Sequence, residues 1–508
     1  MKAGGNAVDG AVATSLVLGV VAPAFSGIGG GGFLMVHLRD QETLYIDYRE
    51  TAPRRAGRGM FQLDGKGGVK GSANSVGYRA VAVPGTVAGL SYALELYGSM
   101  KFAEVASQAI SFARHGFEVS NFLGAVMSDR SRDAAQKIKR FPESRKEWLR
   151  GDRPYKAGEK KLSPNFAEVL EKVARDGLDS FYRGEVAEAI ARDMSRKGGL
   201  IDKEDLAEYS IEVRKPVKGT YRGYEVHAMS PPSLGGTALI QLLNIFEDLD
   251  MGEMGSNSAE TIAAMARALS AVWPELRRRV GDPSFVKVDT GRLVSKGFAA
   301  RLVSGQRTRR VREDDSGRSW TTHLSVVDKD RNVAAITESL ECYFGSGVIV
   351  PGTGFFLNDT MHDFDPRPEG PNSVAPGKRP VSNMTPTLLL KDGSPYLVAG
   401  SAAGPRIVTA TLQTILNVVD HQMDVQDAVD APRFHYEGTG PLKLESRIGT
   451  TVRRRLRRLG FDSESPNYVQ LKRGYDAYFG GVNAVLIGDR GELSGGADSR
   501  RQGSVAAY

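Results

Sequence analysis

The 508-residue sequence predicts an α+β fold in which β-sheets are sandwiched between layers of helix. Three observations carry this reading. Strand-like and helical runs alternate in blocks at both ends of the chain. The opening segment, Asn6 to about Val21, carries Ala, Val and Leu on all sides, as a helix buried against a sheet does. Two later runs, Thr321–Val327 and Val333–Leu340, flank Asp328-Lys329-Asp330-Arg331-Asn332, a polar turn of hairpin type.

After the first helix come Gly27-Ile28-Gly29-Gly30-Gly31-Gly32 and two strands, Phe33–Leu38 and Leu44–Arg49. Gly27, Gly29 and Gly32 satisfy G-x-G-x-x-G. A dinucleotide site, however, needs strand, glycines, then helix, so that the helix N-terminus faces the pyrophosphate. The order here is helix, glycines, strand, and a nucleotide-binding reading is set aside. From Pro84 to about Lys218 the pattern is mostly helical. Ser163-Pro164 reads as a cap followed by a first-turn proline, and Glu185–Arg196 as an amphipathic helix. Tyr224–Met229 is a strand and Ala259–Val280 a helix. Arg301–Trp320 is polar and aperiodic, an exposed loop. Later strands are Thr387–Leu390, Tyr396–Ala399 and Val482–Ile487, with helices at about Arg406–Val419 and Thr451–Leu459. There is no internal repeat.

Length alone makes two or three domains the default, although large α/β enzymes with one continuous sheet reach the same size. Hydrophobic residues are 41% and charged residues 25%, which supports a sizeable core and gives no indication of disorder. The 59 glycines cluster at short turns (29–32, 234–236, 494–496), a pattern of backbone packed against backbone or ligand. The net charge of +7 leaves an acidic small substrate compatible. Arg453–Arg458 reads as the solvent face of a short helix and Arg307–Arg312 as an exposed loop. No nucleic-acid motif accompanies either, so no nucleic-acid partner is expected. The single cysteine, Cys342, permits no intramolecular disulfide and reads as packing. Val8–Phe25 is interrupted by Asp9, Gly10, Gly19 and Pro23, so no membrane span is expected. No secretory signal is visible, which points to the cytoplasm, or to the periplasm or exterior if the start is incomplete. His323, His362 and His435 lack metal-ligand spacing, and neither metal nor cofactor is expected.

Thr321-Thr322-His323 opens a strand directly after the irregular loop. Two threonines there are also ordinary strand formers. If Asp328 pairs with Val333, Thr322 lies opposite Ser339 and Thr321 opposite Leu340, while Thr337, Ser339 and Glu341 share one face. Hydroxyls and a carboxylate then gather at the start of the first strand. A threonine hydroxyl needs a base within hydrogen-bond reach to act as a nucleophile. A cut before Thr321 would create one, since a free α-amino group titrates near pH 8. The exposed loop ending at Trp320 suits such a cut.

The run TTHLSVVDKDRNVAAITESLECYFGSG, Thr321 to Gly347, resembles the start of the small subunit of gamma-glutamyltranspeptidases. GGNAVDGAVA (4–13), GIGGGGF (27–33), DYRETAPRRA (47–56), VPGTVAGL (83–90), GDPSFVKV (281–288), KRPVSNMTPT (378–387) and DAPRFH (430–435) agree in order, so the likeness spans essentially the whole chain. Members usually begin with a further strand and often a signal peptide. The present start is therefore expected to be short or truncated.

The resemblance implies a four-layer αββα sandwich, the fold of N-terminal-nucleophile (Ntn) hydrolases, with two stacked antiparallel sheets between helical layers. It implies that Thr321 is both autoprocessing residue and nucleophile, cut from Trp320, with Ser339 hydrogen-bonding it and Thr337 beside it as catalytic residues. Arg49 would grip the substrate's α-carboxylate with help from Ser382, and Asp363 and Glu341 would face its ammonium. Ala403 and Gly404 would supply the oxyanion-hole amides. Taken singly, Arg49 or Asp363 could each belong to some surface ion pair, and Ser382 or Gly404 to a turn. Three positions depart from the family. Thr360 stands where a Gln or Glu helps bind the ammonium, Asn383 replaces a second serine, and Ala403 replaces a glycine, a mild change if φ there is negative. The segment from Phe364 to Lys378 is short where some relatives carry a lid.

The reading is a self-cleaving gamma-glutamyltransferase and hydrolase. It would take a glutathione-like donor and pass the acyl group from Thr321 to water, an amino acid or a peptide. Large (1–320) and small (321–508) regions would form one folded heterodimer, with a dimer of heterodimers as a further assembly. Two other readings stand beside it. One is a glutaryl- or cephalosporin-type acylase on the same scaffold, favoured by Thr360 and the missing lid. The other is a non-cleaving scaffold homologue.

Overall fold

A computed structural model of the chain describes residues 1–65, 67–129, 134–304, 319–466, 468–469 and 472–507. Strands β1 (Gly31–His37), β2 (Leu44–Asp47), β3 (Glu212–Arg214), β4 (Val217–Tyr221), β5 (Tyr224–Ala228), β6 (Ser319–Val327), β7 (Val333–Cys342), β8 (Thr387–Lys391), β9 (Ser394–Ala402), β10 (Gly481–Ile487) and β11 (Leu493–Ala497) build two antiparallel sheets. The first runs β6-β7-β1-β2-β3 and the second β11-β10-β9-β8-β5-β4. Each sheet takes strands from both sides of Thr321.

The two-residue strand period sorts side chains into three cores. In β1, Leu34 and Val36 face the helices α1 (Ala7–Val21), α2 (Phe102–His115) and α3 (Pro164–Asp176). Phe33 and Met35 face the other way and meet Leu388, Leu390 and Val398 of the second sheet. On the far side, Leu389, Leu397 and Ala399 pack against α4 (Gly235–Phe246), α5 (Ala259–Arg279) and α6 (Arg406–Val419). This is the αββα sandwich, in four layers. Helix α1 is held by a reciprocal cap, with Asn6 and Asp9 each accepting the other's first-turn amide. The glycine run after it serves backbone contact with β7. A Cβ on Gly30 would lie 2.1 Å from the Ser339 carbonyl oxygen and one on Gly32 2.5 Å from that of Thr337.

Most predicted elements are found within one to three residues of their expected bounds. Three differ in kind. The glycines at 494–496 are strand, in β11, and those at 235–236 open α4. Ser163 does not cap its helix, because its hydroxyl receives the buried Lys161 ammonium at 3.0 Å instead. Of the loop expected over Arg301–Trp320, residues 305–318, and with them the basic run 307–312, lie outside the described residues. Lys296–Ser304 is helix, and β6 already begins at Ser319. Among the described residues no helix is long and apolar enough to cross a membrane.

On the α1 face of β7, Glu338 is 1% exposed and accepts the Ser15 hydroxyl at 2.7 Å. Burial pushes its carboxyl up to about 7, against the pull of the Ser15 bond. A raised pKa means that folding favours the protonated form. The associated stability is complete below the ordinary carboxyl range and is lost as pH rises through about 7. Glu338→Gln keeps an acceptor for Ser15 and should flatten the fall in melting temperature between pH 5 and 8.

Candidate active site

The hairpin turn sets the register of the site. The Asp328 carboxylate accepts the amides of Asp330 at 2.9 Å and Asn332 at 3.0 Å, closing the turn on itself. Pairing therefore begins at Val327–Val333, not at Asp328–Val333. This corrects the expected register by one residue: Thr321 lies opposite Ser339, and Thr322 opposite Glu338. Thr321, His323, Thr337 and Ser339 consequently share the face turned toward the second sheet.

Between Trp320 and Thr321 the ladder slips. Trp320 pairs with Glu341 and Thr321 with Ser339, leaving Leu340 as a bulge. Leu340 uses its backbone elsewhere, donating to the Phe25 carbonyl and accepting from the Asp359 amide, both at 3.0 Å. Glu341 takes a left-handed φ of +82°. Across the slip, the Ser339 hydroxyl donates to the Trp320 carbonyl at 2.7 Å and accepts from the Glu341 amide at 2.8 Å. In the intact chain that hydroxyl is thus committed to the carbonyl before Thr321. Trp320 is fully buried, contrary to the expected exposed cut site. Its ring stacks on Tyr343 at 4.3 Å between centroids and tilts against Tyr468 at 5.2 Å. The Arg501 guanidinium sits over its ring, 4.3 Å from the centroid, and donates to the Thr321 carbonyl at 3.2 Å.

Thr337 does not face Thr321 alone. Its hydroxyl hydrogen-bonds His323 Nδ1 at 2.8 Å, and His323 Nε2 meets Ser325 at 3.0 Å. Burial drives the imidazole pKa down to about 3, so the ring is neutral. Gly400 on β9 makes room for it, since a Cβ there would lie 2.3 Å from the ring. Asn483 on β10 fixes the same strand by donating to the His323 carbonyl at 2.7 Å. In the sequence His323 carried no role beyond its exclusion as a metal ligand, and Asn483 and Arg501 stand in no motif.

Arg49 is fully buried among three carboxylates. It hydrogen-bonds Asp363 and, at 3.2 Å, Glu50, and lies 4.0 Å from Glu341. Burial opposes its charge, but Asp363, Glu50 and Glu341 together hold the guanidinium more firmly protonated than usual. Its Nε–H has no acceptor among the described residues. Burial and the neighbouring Asp363 raise the Glu341 carboxyl well above its ordinary range. The Thr360 hydroxyl donates to Glu50 at 2.7 Å. Glu50, whose pKa burial also raises, thereby braces both Arg49 and Thr360, a role the sequence analysis missed.

Ser382 and Asn383 run along the start of α4. The Ser382 carbonyl accepts from the Leu234 amide at 2.7 Å, its hydroxyl accepts from the Met384 amide at 3.1 Å, and Asn383 is half-buried. Ala403 and Gly404 form the turn between β9 and α6, with φ of +97° and +53°. The condition for a mild Gly-to-Ala change therefore fails: Ala403 sits in a conformation that favours glycine. Glu341, His362 and Asp363 place one ligand atom each within 4.8 Å of one another, a grouping the sequence spacing did not reveal. The Arg49 guanidinium already occupies Asp363 there, so the local positive charge is supplied by the protein. Cys342 is buried, its thiol raised well above the ordinary range by burial, as packing requires.

The family model described as gamma-glutamyltranspeptidase matches residues 1–508. A glutathione hydrolase proenzyme of Escherichia coli is 37% identical, covering 100% of this chain and 88% of that protein. An acylase ACY 1 proenzyme of Pseudomonas sp. (strain SE83) is 36% identical over 100% of this chain and 90% of its own. A crystal structure of a cephalosporin acylase from Bacillus halodurans superposes with a TM-score of 0.85 at 26% identity, covering 100% of this chain and 92% of that one. With its αββα sandwich and the family's motifs in order throughout, the chain belongs to the gamma-glutamyltranspeptidase family of Ntn-hydrolase enzymes.

Proposed function

We propose that the chain cleaves itself before Thr321 and then transfers the gamma-glutamyl group of glutathione-like donors to water, an amino acid or a peptide. The observation that carries this is the charge imbalance around Arg49. One guanidinium with a spare N–H faces three carboxylates, which suits a ligand head bearing both an α-carboxylate and an α-ammonium. The carboxylate would exchange with Asp363 at Arg49, and the ammonium would take Asp363 and Glu341. Ser382 and Asn383 follow Val381, whose carbonyl accepts from Arg49 at 3.4 Å, and would flank the ligand there. Thr360 contributes through Glu50.

In self-cleavage the Thr321 hydroxyl attacks the Trp320 carbonyl carbon, which the Ser339 hydroxyl polarises. The C–N bond breaks, the nitrogen gains a proton, and water hydrolyses the resulting ester. The freed α-amine then serves as base. In turnover it takes the Thr321 hydroxyl proton as Oγ attacks the gamma-amide, and returns it to the leaving amine. The Ala403 and Gly404 amides hold the oxyanion. Thr337, fixed by neutral His323, keeps the floor of the site in register. Fragments 1–320 and 321–508 would remain one unit, because both sheets interleave their strands.

A second reading, an acylase of the glutaryl or cephalosporin type, is favoured by the whole-chain likeness to the acylases. Matched gamma-glutamyl and glutaryl anilides separate the two. The surplus carboxylates predict a preference for the gamma-glutamyl anilide, and Asp363→Asn should reduce that preference by about tenfold or more. Equal rates on both anilides in the wild type would favour the acylase.

Intact mass and N-terminal sequencing should find two fragments, the smaller beginning Thr-Thr-His-Leu-Ser-Val, and a single uncut chain in Thr321→Ala. Ser339→Ala should slow self-cleavage about a hundredfold, the effect of removing one donor from a developing oxyanion. Cleavage at the wild-type rate would remove Ser339 from that step.

A further inference from the structure

We infer that the aromatic cage filled by Trp320 in the intact chain becomes, once the chain is cut, the pocket for an aromatic amino acid that accepts the acyl group. This rests on the self-cleavage reading. The cage is built from Phe25, Tyr343 and Tyr468 around a fully buried indole, with the Arg501 guanidinium over its ring. Tyr468 is only half-buried, so the cage has a wall next to solvent.

The Trp320 carbonyl carbon is bonded to the nitrogen that must become the free base. A donor carbonyl reaches the Thr321 hydroxyl only after that carbon has moved, and moving it draws the indole out. The space left lies one residue from the nucleophile and keeps ring faces suited to another ring. It shares no residue with the Arg49 cluster, which takes the acyl half, and so serves the amine half. Arg501 adds a second element of recognition. One nitrogen holds the Thr321 carbonyl at 3.2 Å, while its buried Nε–H has no acceptor among the described residues. A carboxylate beside the incoming amine would satisfy it. An aromatic α-amino acid therefore places its ring in the cage, its carboxylate on Arg501 and its amine against the Thr321 ester. The amine forms the new C–N bond as the C–Oγ bond breaks, and its proton passes through the α-amine to Thr321 Oγ.

The test uses the matured wild-type enzyme with one gamma-glutamyl donor and L-phenylalanine, L-alanine or phenethylamine as acceptor. The KM for phenylalanine should be about tenfold below that for alanine. Phenethylamine, lacking the carboxylate, should fall between them. Tyr468→Ala should erase the difference between phenylalanine and alanine while leaving the donor KM unchanged. Tryptophan emission gives a second readout that needs no cage variant. Of the three tryptophans, Trp148 and Trp273 stay buried, so release of Trp320 should red-shift the cut enzyme relative to uncut Thr321→Ala. Equal KM values for phenylalanine and alanine, or an unshifted spectrum in fully cut protein, would overturn the inference alone. A wild-type chain that stays uncut would overturn it together with the self-cleavage reading.

Discussion

Between Trp320 and Thr321 one strand advances a single residue while its partner advances two, and the geometry of the site follows from that mismatch. The looped-out Leu340 is tied on both sides, to Phe25 and to Asp359, so the slip cannot relax along the ladder. It rotates Glu341 off the hydroxyl-bearing face and into left-handed backbone, where its carboxyl meets Arg49. It also swings the Trp320 carbonyl onto the Ser339 hydroxyl. A regular ladder would have paired that carbonyl with a backbone amide and offered the bond no side-chain donor.

The charge cluster depends on the same region. Asn358, immediately before the Asp359–Asp363 segment, accepts from the Ala82 amide and donates to the carbonyls of Gly29 and Ala82. The Asp359 carboxylate in turn holds the Cys342 amide at 2.9 Å. Three distant stretches of chain are thereby pinned around the Arg49 guanidinium. Burying one cation among three carboxylates is costly unless the carboxyls partly protonate or a second cation arrives. Burial raises Glu50 and Glu341, which is the first response, and an ammonium-bearing ligand would supply the second. In the proposed function the buried setting would thus tune the site toward a zwitterionic head.

How much of this was legible in the sequence varies with the range of the interaction. The polar turn Asp328–Asn332 between two strand-forming runs revealed β6 and β7, because such a turn is a local signal. The register came out one residue wrong because the Asp328 side chain consumes the turn amides that a shorter loop would have left to the ladder. The bulge was invisible, since its cause lies in Phe25 and Asp359, far along the chain. Arg49, Asp363, Glu341 and Ser382 were named through motif likeness, yet the pairing of the first three was not, because like motifs carry no distances. Thr360 was read as a lost ligand when its hydroxyl in fact braces Glu50. The mildness expected of Ala403 hinged on a backbone angle that only the fold supplies.

The position of the expected cut also makes mechanical sense. β6 is an edge strand, and on the N-terminal side of Thr321, among the described residues, Ser319 and Trp320 alone pair with β7. Breaking the chain there puts two ladder positions at risk. The interior ladders that join the two sides of the cut, β1 with β7 and β5 with β8, are untouched. The His323–Thr337 pair and the Asn483 bond lie wholly on the C-terminal side, so the strand of the proposed nucleophile would keep its supports. Trp320 would lose the tether that keeps a large aromatic ring beside Thr321. A single edge bond can therefore separate the act of opening the site from the integrity of the sandwich that carries it.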